Sequence, residues 1–364
     1  MSNFDAALER FQQIDLEYAG GLANHGPMGA EALEALGHQA KIPAFVDIYA
    51  PRLPPLSMGS ALAPADRMAA RGDIGRVGDW IATFDAELPR LGPEAGAWGS
   101  LLRAELPALM PGLFAAAGHG LLRVAHAVRA LERVDDDGRR REVALGLAHW
   151  SARYQTLPGK VEKMEVLQPG TSPAKEIEDV VQDWPILGEA NARLGFFTKV
   201  VERLDGWAPF EEALGKVALP AADDVDDFLS GVCRAAAKIY VDHPASRIAY
   251  VHGLTIPSSI RSLLPFLEGE DRSRAVGYAL QVVVALHSIF GDAESEPEPD
   301  DEVIRVAEDW DEMRYHSACS IAEHSIKMVE ACWREDRLAP NPIFRRAAAD
   351  AALKVGGRGD VSAC

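Results

Sequence analysis

Apolar residues recur at spacings of three and four along most of the chain, which is the pattern of helices that bury one face. Alternating apolar and polar runs between turn signals, which would indicate strands, are nearly absent. The segments with the helical pattern are residues 5–18, 80–91, 121–131, 142–154, 194–204, 223–241, 274–290, 302–310, 313–333 and 342–355. The sequence therefore predicts an all-α fold, a single large bundle of more than ten helices.

No linker-like tract divides the 364 residues, so we predict one helical domain over residues 1–364. Residues 52–64 and 157–174 are rich in Pro, Gly and Ser and are interpreted as loops. The acidic, proline-containing segment 293–301 is interpreted as a solvated connector. Residues 274–290 are apolar on all sides, which predicts a helix at the centre of the bundle.

The net charge of −18 argues against a nucleic-acid partner and against anionic membrane surfaces, because both require a basic patch. The cysteines form no Cys-x-x-Cys pair, so we expect a reduced, cytoplasmic setting; they are Cys233, Cys319, Cys332 and Cys364. The first residues lack the basic start and apolar run of a secretory signal, and no apolar stretch approaches the ~18 residues of a membrane span.

Several motifs of well-known enzyme classes are missing from the sequence. No glycine-rich dinucleotide fingerprint follows a strand, and no Walker A, HExxH or GxSxG motif occurs. A resident flavin or nicotinamide domain is therefore not predicted. Residues 223–227 match the DDxxD pattern that binds magnesium-diphosphate in helical terpene synthases, but no second metal-binding helix follows. We interpret them as the acidic first turn of a helix.

Ten histidines occur, and some lie where metal chemistry is plausible. His25 stands in a turn that leads into a helix, and its Asn, Gly and Pro neighbours would hold the ring still. His119 and His126 are seven residues apart, so they share one face of a helix. A surface role for His25 and a core role for the other two stay open. His126 and His149 are assigned a core or supporting role.

A second group of candidates lies in the C-terminal half. His252 precedes Thr255 by three residues, and the Thr255 hydroxyl could hydrogen-bond a ring nitrogen or a bound oxygen species. His324 and Lys327 are neighbours on one apolar helical face. Burial disfavours a charged amine, and a neutral amine can take up carbon dioxide to give a carbamate, an anionic oxygen ligand. Neutral imidazoles with such a ligand suit Fe(II), Zn or Mn.

Four segments together resemble the questin oxidase-like family: residues 24–28, 111–126, 252–255 and 311–332. No single segment is specific, but their order and spacing run from near the N-terminus almost to the end of the chain. The family contains fungal polyketide enzymes of secondary metabolism, which oxidatively open anthraquinone-type rings, and many bacterial members. The resemblance implies a mononuclear non-haem Fe(II) centre, whose ligands would be His25, His119, His252, His324 and a carboxylated Lys327.

One position departs from the pattern expected for the fungal members. Where those have a His-Pro-Leu-Ile-His type of sequence, this chain has His119-Gly120-Leu121-Leu122-Arg123. Arg123 lies one helical turn from His119 and could pair with a phenolate or carboxylate of the substrate. Arg123 and Thr255 are therefore the candidate catalytic residues.

The resemblance implies an oxygenase that cleaves a polycyclic aromatic or quinone-type substrate by a Baeyer–Villiger-like or dioxygenase route. The expected partners are a small aromatic substrate and dioxygen, with NADPH as an external reductant. Two alternatives stay open: a zinc-dependent hydrolase that uses the same histidines, and a non-catalytic helical binding protein. Candidates for the walls of the pocket are aromatic, namely Trp80, Tyr154, Trp184, Phe196 and Phe197.

Overall fold

A computed structural model of the chain describes residues 1–88, 96–171, 175–188, 195–291 and 300–356. These residues contain 18 α-helices and one two-stranded sheet, so the prediction of an all-α fold with more than ten helices is confirmed. The chain divides into two compact units, an N-terminal unit of residues 1–156 and a C-terminal unit of residues 157–364. The single domain over residues 1–364 stays a prediction.

The N-terminal unit has eight α-helices in the part that the structure describes. They are α1 (Asn3–Phe11), α2 (Gly26–Ala35), α3 (Ile42–Tyr49), α4 (Arg67–Ala70), α5 (Val77–Glu87), α6 (Gly99–Leu109), α7 (His119–Arg133) and α8 (Asp137–Ala152). The strands β1 (Glu17–Tyr18) and β2 (Leu22–Ala23) pair antiparallel. Helix α7 packs against both α8 and α2, and His119 at the start of α7 lies beside His25, which precedes α2.

The helix predicted over residues 5–18 is wrong beyond Phe11. Ser2 caps α1 at its start, and the helix ends at Phe11. Ile14 then forms a β-bridge with Pro55, and the Asp15 amide donates to the Pro54 carbonyl at 2.8 Å. Non-local backbone pairing therefore overrides the local helical pattern in this segment.

Glycines set the close approach of α7 and α8. A Cβ added at Gly120 would lie 2.6 Å from the Trp150 Cα, and one at Gly146 would lie 3.0 Å from the Val124 amide nitrogen. Both obstacles are backbone atoms, which cannot move aside as a flexible side chain can. The two helices are therefore packed against each other at positions where only glycine fits.

Gly120→Ala is expected to destabilise the protein by about 1–3 kcal/mol, because the added methyl group would push α7 away from α8. The measurement is urea unfolding followed by circular dichroism. Gly138→Ala in the exposed first turn of α8 is the matched control, since its Cβ would meet only a side-chain oxygen of Asp136 at 3.3 Å. The control should stay within about 0.5 kcal/mol of wild type. Equal losses in the two variants would contradict the packing argument.

The C-terminal unit has ten α-helices among its described residues. They are α9 (Ile177–Gln182), α10 (Phe197–Val200), α11 (Ala208–Leu214), α12 (Val225–Asp242), α13 (Arg247–Ile260), α14 (Glu270–Phe290), α15 (Asp301–Val306), α16 (Trp310–Ser320), α17 (Glu323–Leu338) and α18 (Pro342–Lys354). Helix α13 packs against α12, α14 and α17. His252 in the middle of α13 lies beside His324 in the first turn of α17.

Helix α14 is buried along almost all of its length, which confirms a core helix over residues 274–290. Within the described ranges it is also the one helix long and apolar enough to cross a membrane, so the expectation that no apolar stretch approaches that length is wrong; 94% of its apolar stretch is buried. Length and composition alone do not separate these two kinds of helix. The interpretation of residues 223–227 as the acidic first turn of a helix is confirmed as well, since Asp226 and Asp227 lie in the first turn of α12.

The prediction of one helix over residues 313–333 is wrong. Ile321 adopts a left-handed conformation (φ 54°) between α16 and α17. The Ser320 hydroxyl donates to the Ser317 carbonyl and accepts from the Ala322 amide. These local side-chain bonds replace the helical pairing and end α16.

Three other helix predictions change in extent. Residues 302–310 are divided, since α15 ends at Val306 and α16 begins at Trp310. Of residues 194–204, only Phe197–Val200 is α-helical, and a 3-10 turn follows to Leu204. The predicted helix over residues 80–91 ends at Glu87 as α5. Residues 89–91 and 194, most of the acidic segment 293–301, and Cys364 lie outside the described residues.

Candidate metal-binding histidines

His25 is held at the start of α2 by two polar side chains. Its amide donates to the Tyr49 hydroxyl at 2.9 Å, and the Gly26 amide donates to the Asn24 side-chain oxygen at 2.9 Å. The Asn24 side chain also donates to the Asp15 carbonyl at 2.9 Å. The turn before α2 is therefore fixed from both sides, as the sequence predicted for a histidine leading into a helix.

His119 is the first residue of α7 and follows an unusual turn. Ala116, Ala117 and Gly118 are all left-handed, with φ values of 50°, 56° and 86°. This conformation costs about 1–2 kcal/mol for each alanine, and such strain clusters at functional sites. The turn brings the Ala116 carbonyl to the Nδ1 atom of His119. Because a carbonyl only accepts, Nδ1 carries the proton and Nε2 keeps the lone pair that binds a metal.

The rings of His25 and His119 lie together in the N-terminal unit. Their centroids are 4.3 Å apart, and a ring nitrogen of one lies within 4.8 Å of a ring nitrogen of the other. Each side chain is only 3% exposed. When two imidazoles bind one ion through metal–nitrogen bonds of about 2.1 Å that lie at right angles to each other, the ring centroids are about 4.5 Å apart. The pair therefore fits two adjacent positions of an octahedral ion.

His252 and His324 form a second pair, within the C-terminal unit. The ring centroids are 5.3 Å apart, close to the separation of about 5.2 Å expected for a tetrahedral angle on one ion. The Nδ1 atom of His252 donates to the Ile248 carbonyl at 2.8 Å, so this ring also keeps its lone pair on Nε2. The two rings therefore lie near each other, whereas their role as metal ligands stays a prediction.

Lys327 lies one helical turn from His324 in α17, and its side chain is 1% exposed. Burial, followed by the positive charge of Lys327, lowers the pKa of His252 to about 3. The same two causes hold the pKa of His324 well below its ordinary value. Both rings are thus neutral near pH 7, which is the form that ligates metals. The predicted burial of the Lys327 face is confirmed.

The two candidate catalytic side chains already have partners inside the fold. The Arg123 guanidinium donates from Nε to a Glu142 carboxylate oxygen at 2.5 Å and from Nη2 to the other at 3.2 Å. Its Nη1 is buried and makes no hydrogen bond to the described residues. The Thr255 hydroxyl donates to the Val251 carbonyl at 2.8 Å, so its oxygen can act only as an acceptor. Substrate contacts by either residue stay predictions.

His126 and His149 are tied to carboxylates rather than to carbonyl groups. The Nδ1 atom of His126 contacts Glu31, which also pairs with Arg129. The Nε2 atom of His149 lies 2.9 Å from Glu17. Both rings therefore belong to buried ion-pair networks of the N-terminal unit, in line with the core role expected from the sequence.

The Glu17 network predicts a pH dependence of stability. Burial raises the pKa of Glu17, but hydrogen bonds from His149 and Arg153 outweigh it, and the pKa falls to about 2 from an ordinary value of 4.5. Because folding lowers the pKa of this carboxyl group, its ionised form stabilises the fold above pH 4.5, and that stabilisation is lost as the pH falls towards 2. The contribution is at most roughly 3 kcal/mol, because one pKa unit corresponds to about 1.4 kcal/mol.

Urea unfolding between pH 7 and pH 3 measures this effect. Glu17→Gln should lower the free energy of unfolding at pH 7, and the difference from wild type should shrink as the pH approaches 3. A difference between the two proteins that stays constant over this range would contradict the assigned pKa.

Of the five aromatic residues proposed as pocket walls, Phe197 is the one that the structure places in ring contact with a candidate ligand. Among the described residues, the centroid of its ring lies 5.3 Å from that of His252 and 5.4 Å from that of Phe290. Phe196 is 45% exposed. The other three lie elsewhere: Trp80 stacks on Phe84, Trp184 meets Phe210, and Tyr154 packs beneath Arg71.

Sequence reasoning missed the residues that position the candidate ligands. Tyr49 is 24 residues from His25 and carries no local signal of that contact. The run Ala115-Ala116-Ala117-Gly118 offers only Gly118 as a hint of the left-handed turn. Phe290 closes a predicted core helix and is not distinguished there from its apolar neighbours.

No family model matches this chain, and neither the curated proteins nor the solved structures contain a significant match. The resemblance to the questin oxidase-like family therefore stays a prediction from the sequence. What can be said of function depends on the chemistry of the residues themselves.

Proposed function

We propose that this protein is an oxidoreductase, a mononuclear non-haem iron oxygenase that oxidatively cleaves a polycyclic aromatic or quinone-type substrate. The observation that carries the proposal is the presence of two buried histidine pairs. In each pair one ring donates its Nδ1 proton to a backbone carbonyl: His119 donates to Ala116, and His252 donates to Ile248. Histidine ligands of metals commonly donate the other ring N–H to such a group.

The donor set is compatible with iron. The candidate ligands are the imidazoles of His25, His119, His252 and His324 together with the side chain of Lys327. Neutral imidazole suits Fe(II), and a carbamate on Lys327 would add the anionic oxygen ligand that such centres commonly contain. When bound, the iron would supply the activation of dioxygen that an aromatic substrate cannot achieve alone.

The chain's own residues would prepare the site in three ways. The Ala116 and Ile248 carbonyls hold the His119 and His252 rings in one tautomer. Burial of all four histidines excludes bulk water, and low local dielectric strengthens polar interactions there. The Phe197 ring beside His252 offers an apolar face to an aromatic substrate.

Polar contacts to the substrate would come from a small number of atoms. The buried Nη1 of Arg123 is a donor that could meet a phenolate or carboxylate oxygen. The Thr255 oxygen would accept a hydrogen bond, because its proton is donated to Val251. Electrons, where the reaction needs them, would come from external NADPH. A cytoplasmic location and the absence of a nucleic-acid partner are part of the same proposal.

A zinc-dependent hydrolase is the second candidate. The separation of 5.3 Å between the His252 and His324 rings is that of a tetrahedral pair, which is the geometry that zinc prefers. Zinc would supply an activated water in that case. The two functions differ in the metal that the protein retains and in their need for dioxygen.

The experiment is metal analysis of protein purified without added metal, followed by oxygen-electrode assays with a reduced anthraquinone as the probe. Iron content together with oxygen uptake that requires both the probe and the protein, beyond the uptake by the probe alone, would support the oxygenase. Stoichiometric zinc without oxygen uptake would overturn it in favour of the hydrolase. If the protein retains no metal and binds none on titration, the remaining alternative is a non-catalytic helical binding protein.

A further inference from the structure

A third histidine pair lies in the C-terminal unit, apart from the candidate iron ligands. His243 follows the last residue of α12, and His287 lies in the final turn of α14. Their ring centroids are 5.4 Å apart at an interplanar angle of 54°. The Tyr250 ring packs 5.7 Å from His243 and supports its orientation.

His287 has a buried polar atom that the fold does not satisfy. Its side chain is 5% exposed, and Nδ1 makes no hydrogen bond within the described part of the chain. A buried polar atom without a partner costs about 1–3 kcal/mol, so such an atom calls for an explanation such as a bound ion. The ring lies close to the backbone of Gly291, where an added Cβ would be 3.1 Å from the His287 Cε1 atom.

The pair has the geometry and surroundings of a two-histidine cation site. A separation of 5.4 Å is near the value of about 5.2 Å for two imidazoles on one tetrahedral ion. His243 is only partly buried, so an ion can reach the pair from solvent. The Asp242 carboxylate, which also pairs with Lys238, acts electrostatically on His287 and would offset part of the positive charge of a cation.

We propose that His243 and His287 together bind a divalent transition-metal ion, with solvent completing its coordination. Imidazole ligands select Cu²⁺, Ni²⁺ and Zn²⁺ over Mg²⁺ and Ca²⁺, which prefer oxygen. The ion would join the end of α12 to the end of α14. Because an ion that binds only the folded state stabilises it, the thermal midpoint should rise with metal concentration.

This proposal does not depend on the oxygenase or on its ligands. No residue is shared between the two groups, and the nearest in sequence, His243 and His252, lie on different elements, before α13 and within it. Failure of the iron proposal would therefore leave this site untouched, and the reverse also holds.

Calorimetric titration of the full-length protein, as purified, with Ni²⁺ tests the proposal. Wild type should bind about one equivalent, and His243→Gln and His287→Ala should each weaken binding at least about tenfold. His316→Ala, at a partly exposed histidine of α16, is the matched control and should bind as wild type does. Mg²⁺ should not bind at this site.

Two further readouts keep the test decisive. The content of any metal that co-purifies should be the same in His243→Gln as in wild type, whereas His252→Ala should leave Ni²⁺ binding at His243 and His287 intact. His243→Gln changes a partly exposed side chain, so it provides a result even if His287→Ala folds poorly. Absence of Ni²⁺ binding in wild type, or equal binding by wild type and His243→Gln, would overturn the proposal.

Discussion

His252→Ala is expected to lower the affinity for iron at least about 100-fold while the protein stays folded. Even partners that only orient a metal ligand change affinity about 10–100-fold when removed, so loss of a ligand should exceed that range. The Nδ1 of His252 is fixed by the Ile248 carbonyl, and burial lowers the pKa of the His252 ring and keeps it neutral. The expected loss is therefore of a ligand that is already in its binding form.

Anaerobic Fe(II) titration, with circular dichroism as a check on folding, measures this effect. His252→Gln keeps a side chain of similar volume and guards against loss of binding through a cavity. His316→Ala removes a partly exposed histidine and should bind iron as wild type does. If His252→Ala and His316→Ala bind iron equally, His252 is a core histidine and not a ligand.

Glu142→Gln is expected to destabilise the protein by about 3–5 kcal/mol, because it leaves the buried Arg123 guanidinium without its counter-charge. Arg123 is 1% exposed, and its Nε and Nη2 atoms both donate hydrogen bonds to the Glu142 carboxylate. The Gln12 side chain also lies 3.4 Å from that carboxylate. The effect should appear in the free energy of unfolding by urea.

Two comparisons separate this ion pair from a general effect of losing a charge. Asp311→Asn breaks the exposed contact with Arg314 and should cost less than about 1 kcal/mol. Adding Arg123→Met to Glu142→Gln should recover part of the stability, because no buried charge then remains unpaired. A double variant that is less stable than Glu142→Gln alone would show that the penalty has another origin.

The sequence predicted those parts of the fold that depend on local patterning. Apolar spacing located the core helix α14 and most of α7, α8, α12 and α18. It failed where a distant contact or a short polar side chain decides the backbone. Pairing of Asp15 with Pro54 ends α1 early, and the hydroxyl of Ser320 ends α16.

The candidate site was predicted to a similar extent. Residue type and position singled out His25, His119, His252, His324 and Lys327 as candidates, and the resemblance to the questin oxidase-like family implied that they form one ligand set. The structure brings the first two together and the next two together within their own units. The pairing of Arg123 with Glu142 was not predicted, because nineteen residues and a helix–helix contact separate them. The left-handed turn before His119 was missed for a similar reason, since two of its three residues are alanine.

The most direct test of the central claim is the metal content of the full-length protein purified without added metal and measured by plasma mass spectrometry. The oxygenase proposal predicts close to one iron per chain in wild type, with iron lost in His25→Ala, His119→Ala, His252→Ala and His324→Ala and retained in His316→Ala. Wild-type protein that holds no transition metal and takes up none from Fe(II), or variants that retain iron as wild type does, would contradict it.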